Sequence, residues 1–510
     1  MILGEISRTA DTAVTLDDLF RRVSVRHPDA LALADPPNRE DFTDGAPRTL
    51  SFAQADRAIS ALAGNLRGLG LQTDTVVAMQ LPNTVESIVA ILGVLRAGMI
   101  AVPIPLLWRQ QEIVEALRRV DAKAIVTFPR VGTTAHAELA MQAAVELFPI
   151  RHVCSFGPNL PDGIVSLDDV FASRGSDVAA PHTRSGPAAA HVAAITFGLD
   201  AKGFIPMARS HVELVAAGLE TFLEAGAEAD TSLLSAIPIS SFAGLALTLV
   251  YWLLLGGALH LHHGFDPDAF DAQSGSLTGG TVVLPASALA SVAEAGLLRG
   301  AHRTIVALWR APERLASAKP WHDKPALVDV ASFGEIGLVA ARRGENRLPA
   351  TIRHGIVNSS RRAPGAPVVI ETACSGVGTL ALRGRMVSIH AFAPGANCAH
   401  PPRLSPDSAG YVDTGFACRL DGNAQTLTIT ARPSGTIAVG GYCFRENLID
   451  ALVADADPDA TLVALPDSDL GQRLAGTAAD RTSLRAKLQA QGINPLISGA
   501  FQPRGAPEAA

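Results

Sequence analysis

The sequence predicts an α/β protein: a large, multi-layer N-terminal domain of helix-flanked sheets that includes a small β-rich region, followed by a small α/β C-terminal domain. Three observations lead there. Over the first 130 residues, short apolar runs alternate with stretches of helical spacing, the pattern of a parallel sheet covered by helices. Beyond Val368 the texture changes to short β-rich runs split by glycines, VVIETA, GTLALRG and TLTITARP, which read as an antiparallel region. A chain of 510 residues also exceeds what one compact core organises.

Taken in order, Leu16 to Arg26 has helical spacing and Leu31 to Ala34 is a short apolar strand. Leu50 to Leu69 reads as an amphipathic helix opened by Ser51, whose hydroxyl suits an N-cap. Strand Thr75 to Gln80, helix Asn83 to Ala97, strand Ile100 to Pro103, helix Gln110 to Val120 and strand Ala124 to Thr127 continue the alternation. The segment SRGSDVAAPHTRSGPAAAHV reads as a surface connection. The pattern resumes with strand Ala193 to Phe197, helix His211 to Phe222, an apolar run around residue 250, and strand Gly280 to Leu284 ahead of a helix. The tripeptide PSG at 433 to 435 suggests a boundary near residue 432, giving domains 1–431 and 432–510.

Composition narrows the function. A net charge of −7 with no basic run excludes a nucleic-acid partner, because nothing could neutralise a phosphate backbone. The lysines are Lys123, Lys202, Lys319, Lys324 and Lys487, so basic residues are almost all arginine. Cys154, Cys374, Cys398, Cys418 and Cys443 lack C-x-x-C spacing, which fits reduced thiols in cytoplasm. The first twenty residues carry acids and no apolar core, so no signal peptide is expected. Phe242 to Leu259 is 18 residues without charge, but its glycines and lack of basic flanks favour a buried helix and a core strand over a membrane span.

This order of segments resembles the adenylate-forming superfamily of acyl- and aryl-CoA synthetases, peptide-synthetase adenylation domains and luciferase. The likeness covers nearly the whole chain. LDDLFRRVSVRHPDALAL, SFAQADRAISALAGNLRGLGLQTDTVVAMQLPN and ESIVAILGVLRAGMIAVPIPL look like the family's N-terminal helices and strands. LSAIPISSFAGL and GGALHLHHGFDP look like its acyl-pocket helix and following strand, and GYVDTGFACRLDGNAQTLTITARPSGTIAVGGYCFRENLID like the join between its domains. The resemblance implies an acid–thiol ligase that takes a small-molecule carboxylic acid, ATP and magnesium, with coenzyme A or an acyl-carrier-protein thiol as acceptor.

The family's phosphate loop reads T-S-G-T-T-G-x-P-K-G, where small residues let backbone N–H groups close round phosphates. The matching run here is Thr196, Phe197, Gly198, Leu199, Asp200, Ala201, Lys202, Gly203, Phe204. Thr196 and Gly198 agree with the pattern and are the implied nucleotide contacts; Lys202, two positions early for the family's lysine, is the implied catalytic lysine. Leu199 offers no hydroxyl, and Asp200 would set a carboxylate beside phosphate oxygens, a repulsion on the order of a few kcal/mol within about 4 Å.

In the family's Y-G-x-T-E-x-G motif, Glu335 is the implied catalytic and magnesium-binding carboxylate, with Ser332 and Gly334 beside the nucleotide. Ala331 replaces the tyrosine that stacks on adenine. The ribose clamp T-G-D becomes Thr414, Gly415, Phe416, and a phenylalanine accepts no hydrogen bond, which removes contacts of roughly 1.5–3 kcal/mol each. Arg432 agrees with the family's second ribose contact, and the hinge position is Gly435. A terminal lysine that stabilises developing charge in the family has no counterpart after Lys487; losing such a donor costs about 10²- to 10³-fold in rate. Ser241, Phe242 and Gly244 fall at the implied acyl pocket. His260, His262 and His263 lack a carboxylate or cysteine at metal spacing, so a metal site is not expected.

Three functions stay open at this level: an ATP-dependent acid–thiol ligase, a catalytically impaired homologue that binds an acyl or nucleotide ligand, and an ATP-independent acyl transferase.

Overall fold

A computed structural model describes residues 14–172, 186–200, 203–298, 302–357, 368–389, 404–467 and 470–502. Residues 173–185 of the expected surface connection, Lys202, Cys398 and Arg504 in the C-terminal tail lie outside the described residues.

Two sheets with largely parallel cores form the large part. The seven-stranded sheet runs in the spatial order 165–166, 152–155, 124–127, 76–79, 100–103, 192–200, 203–210, parallel except for its last pair. The eight-stranded sheet runs 337–342, 326–333, 304–309, 281–285, 233–235, 259–261, 31–34, 49–51, antiparallel only at its two edges. These strands are continuous apolar runs because helices cover both faces.

The helices begin where their caps dictate. Ser51 accepts from the Gln54 N–H while Gln54 reaches back to the Ser51 N–H, opening helix Phe52–Gly68. Leu50 therefore belongs to the strand Thr49–Ser51 rather than to the helix. Thr15 and Ser210 make the same reciprocal cap for helices Leu16–Arg26 and His211–Ala225. Helix Val85–Arg96 is buried along almost its whole length, and its N-terminal turn is held by the buried Asp35, which accepts from the Val85 N–H at 2.7 Å. Arg39 pairs with both Asp35 and Glu86, all three side chains being at most 2% exposed.

The uncharged run from Phe242 is a buried helix to Leu255, π-helical over Leu245–Val250, followed by strand Leu259–Leu261. Among the described residues no helix is long and apolar enough to cross a membrane.

The β-rich runs beyond Val368 form a six-stranded antiparallel sheet in the order 352–353, 426–431, 412–421, 379–383, 370–374, 355–357. After Ala431 the chain builds a separate apolar cluster from two hairpins and three helices, centred on Phe444, Val453, Leu488 and Phe501. This last segment docks back on helix Gln110–Val120. Asn494 Nδ2 donates to both carboxylate oxygens of Glu112 at 2.9 and 3.1 Å, and Tyr442 Oη donates to it at 3.2 Å.

Candidate functional site

In open α/β sheets, loops at the carboxyl ends of parallel strands converge and ligands bind there. Here both sheets deliver such loops to one place: Asn83, Trp108 and Val131–Thr134 from one, Ser240–Ser241, Gly264–Asp266 and Arg310 from the other. Together with the antiparallel sheet and the docked C-terminal segment they enclose a cavity of about 1120 Å³. Its wall is predominantly apolar, with Phe197 and Phe204 packed on Trp108 at ring-centroid distances of 5.4 and 4.6 Å. His136 and His263, also on the wall, are held neutral by burial, their pKa values lowered to about 3 and about 4.

Of the residues singled out in the sequence, Gly198, Ser241, Ser332, Gly334, Glu335, Thr414 and Arg432 come together on this wall. Thr196 is buried behind it. Phe242 and Gly244 also lie behind the wall, and each has a packing role. The Phe242 ring carries the Arg209 guanidinium 3.7 Å from its centroid, and a side chain at Gly244 would meet the Pro238 carbonyl oxygen at 2.0 Å.

The stretch aligned with the family's phosphate loop is a pair of antiparallel strands. Strand Val192–Asp200 pairs with Gly203–Ser210 in unbroken register from Ala194 to the turn, with Thr196 opposite Met207, Gly198 opposite Ile205 and Asp200 opposite Gly203. Alternate backbone groups of the stretch are committed to this ladder, while beyond Ala194 the others face away from it with no further strand beside them. The physical reason lies in the side chains: Phe197 and Phe204 pack with Trp108, and a bulky apolar pair holds two strands together where small residues would leave a loop open.

Glu335 sits in the turn after strand Ala326–Phe333, and its Oε2 accepts from the Phe242 N–H at 2.7 Å. The Thr196 hydroxyl lies beside the same carboxylate without ideal hydrogen-bond geometry. Arg209 donates to the backbone carbonyls of Met386, Glu335 and Ile336, pinning the turn. Burial pushes the Glu335 carboxyl above its ordinary range, outweighing the Phe242 N–H, Thr196, Arg310 and Arg209, and lowers Arg209 to about 10.

Two residues here carried no signal in the sequence. Arg209 directly precedes a helix cap, and Arg310 directly follows the apolar strand Thr304–Trp309; either position could have flagged a charge carried into the interior, but no spacing rule names them. Arg310 Nη2 donates to Ser241 Oγ at 3.0 Å. Cys443 reaches the cavity from the C-terminal segment, with its side chain exposed there.

The nucleotide side departs from the family's pattern at several points. The phosphate-loop position is a paired stretch, and a cation bound at Glu335 would stand against Arg209 and Arg310. Arg432 is committed to Glu313 and, at 2.6 Å, to Gln472. Thr414 Oγ1 donates to the Leu380 carbonyl at 2.7 Å, Ser332 Oγ to that of Gly334 at 3.1 Å, and Phe416 packs edge-on against Phe333 at 5.6 Å. Asp413, two positions before Gly415, accepts from the Gly415 N–H at 2.8 Å.

Comparison with known proteins places these features in context. The profile of the family described as AMP-binding enzyme matches residues 20–281. A 2-hydroxy-7-methoxy-5-methyl-1-naphthoate–CoA ligase of Streptomyces carzinostaticus is 26% identical over 475 residues, 88% of this chain and 80% of that protein. A salicyl-AMP ligase / salicyl-S-ArCP synthetase of Mycobacterium tuberculosis is 30% identical over 188 residues, 36% of this chain and 32% of that protein. Among solved structures, the amide bond synthetase McbA of Marinactinospora thermotolerans superposes with a TM-score of 0.69 at 20% identity, covering 94% of each chain, a likeness of fold.

Proposed function

This chain belongs to the AMP-binding enzyme family, and from that membership we propose that it takes a small-molecule carboxylic acid into the cavity and serves acid–thiol ligation of the acyl- or aryl-CoA synthetase kind. Coenzyme A or a carrier-protein thiol is the acceptor in this reading. The observation that carries it is the cavity itself. Its apolar wall, rich in aromatic rings and interrupted by a few convergent polar groups at the carboxyl ends of both sheets, suits an organic acid with an apolar body. The relative named as a naphthoate–CoA ligase, aligned over most of both chains, supports an aromatic acid.

ATP and magnesium would supply activation of the carboxylate in such a ligase. This chain's own residues bind and orient the acid and exclude water. A second reading follows from one specific observation, the hairpin at residues 192–210: the chain binds an acyl or aryl acid without turning over ATP.

Pyrophosphate release separates the two. The purified protein is incubated with ATP, magnesium, coenzyme A and a panel of 1-naphthoate, salicylate, benzoate and decanoate. Acid-dependent release above the acid-free blank supports ligation. No release with any acid, together with calorimetric binding of an acid and no heat from ATP, supports the second reading, and submicromolar ATP binding with magnesium contradicts it.

A further inference from the structure

We propose that Arg310, with Ser241 beside it, seats the carboxylate of the ligand, and that the ligand is a monoanion with an aromatic or otherwise apolar body. This rests on the carboxylic-acid reading above and names the residue that would recognise the acid.

Geometry fixes the guanidinium in place. The Arg310 stem is clamped against the C-terminal segment: a side chain at Gly441 would come within 2.3 Å of Arg310 Cδ, so the backbone there lies directly on it. One Nη donates to Ser241 Oγ at 3.0 Å, and the same oxygen accepts from the Gly244 N–H at 3.1 Å. A hydroxyl has two lone pairs and one proton. With both lone pairs engaged, Ser241 has its proton left to donate, so an arginine fork and an O–H donor converge on one spot of the wall. That donor set suits a carboxylate, which only accepts.

Charge points the same way. Around this spot the guanidiniums of Arg209, Arg310 and Arg432 face the carboxylates of Glu213, Glu313 and Glu335. Arg432 is committed to Glu313, and Arg209 directs its donors to backbone carbonyls. Arg310 itself donates to no carboxylate among the described residues: burial lowers its pKa against the more distant Glu335 charge. One ligand carboxylate would give its free donors an acceptor. A triphosphate would bring several negative charges and set them against Glu335. The rings of Phe197 and Phe204 provide the apolar wall for the rest of the molecule.

The test is calorimetry with 1-naphthoate, benzoate and decanoate, each beside its uncharged primary amide, on wild type and on Arg310→Gln. Wild type is expected to prefer an acid over its amide by on the order of 10- to 100-fold, the size of one charge-assisted pair. In Arg310→Gln that preference is expected to vanish while amide binding persists. Should Arg310→Gln fail to fold by circular dichroism, Arg310→Lys, which keeps the charge and loses the fork, is expected to reduce the preference several-fold. An acid preference unchanged in the folded variant overturns the assignment of Arg310 and leaves the acid reading standing. No acid binding to wild type anywhere in the panel overturns the acid reading and the assignment together.

Discussion

At the scale of single residues, buried charge decides where this protein is vulnerable. Arg39 pairs with Asp35 and Glu86 in a site closed to water, and Arg48 adds a second cation 3.3 Å from Glu86. Removing one partner of such a group strands the others, so Arg39→Met is expected to cost about 3–5 kcal/mol, read as a shift of the urea midpoint. Burial, followed by the Glu86 charge, raises Asp35 to about 6 from its ordinary 3.8. A carboxyl whose folded pKa is raised stabilises the fold below its unfolded pKa and loses that contribution as pH rises through the folded value. Stability should therefore fall between pH 4 and 6 in proportion to this group, and Asp35→Asn should flatten that part of the curve in thermal melts. The losses at Ala331 and Phe416 were legible in the sequence because a missing acceptor or ring is a property of residue type. Arg209 and Arg310 were not, since an isolated arginine becomes informative only when folding shows what it is buried against.

At the scale of elements, helix starts were readable and the hairpin was not. Ser51 with Gln54 is a local signal, satisfied by the chain within a few residues. The pairing of 192–200 with 203–210 depends on Trp108, some ninety residues earlier in the sequence, to hold the rings of Phe197 and Phe204. Only the two-residue separation between Asp200 and Gly203 hinted at a tight hairpin. The ladder makes two predictions. In hydrogen exchange followed by mass spectrometry, peptides spanning 196–199 and 204–207 should exchange over minutes to hours, whereas a phosphate loop without ligand would exchange within seconds. Trp108→Ala should speed exchange in the same two peptides, because the contact that holds the rings of Phe197 and Phe204 is lost.

At the scale of the whole molecule, the C-terminal segment is held to the large part through Glu112. Burial raises this carboxyl to about 7, against hydrogen bonds from Asn494, the Arg109 N–H and Tyr442, and against the Arg109 charge. On undocking it would return toward the ordinary 4.5, so docking takes up protons. Its contribution is present below about pH 4.5 and is lost as pH rises through 7. Small-angle scattering should show the molecule more extended at pH 8 than at pH 5, and Glu112→Gln should remove the dependence; identical profiles in wild type would contradict this role. The PSG tripeptide at 433–435 suggested a boundary near residue 432, and the chain after Ala431 builds an apolar cluster of its own. How the parts meet was not legible, because a Glu–Asn–Tyr contact across several hundred residues leaves no pattern in either segment.

The size of the cavity carries a consequence for stoichiometry. Ligand sites commonly measure 300–1,000 Å³, and about 1120 Å³ exceeds what one bicyclic acid fills. At roughly 30 Å³ per water molecule in the liquid, a seated naphthoate leaves the remainder to solvent or to a second guest. Saturating the protein with one such acid should therefore leave room for a second small guest, and their titrations are expected to add rather than compete.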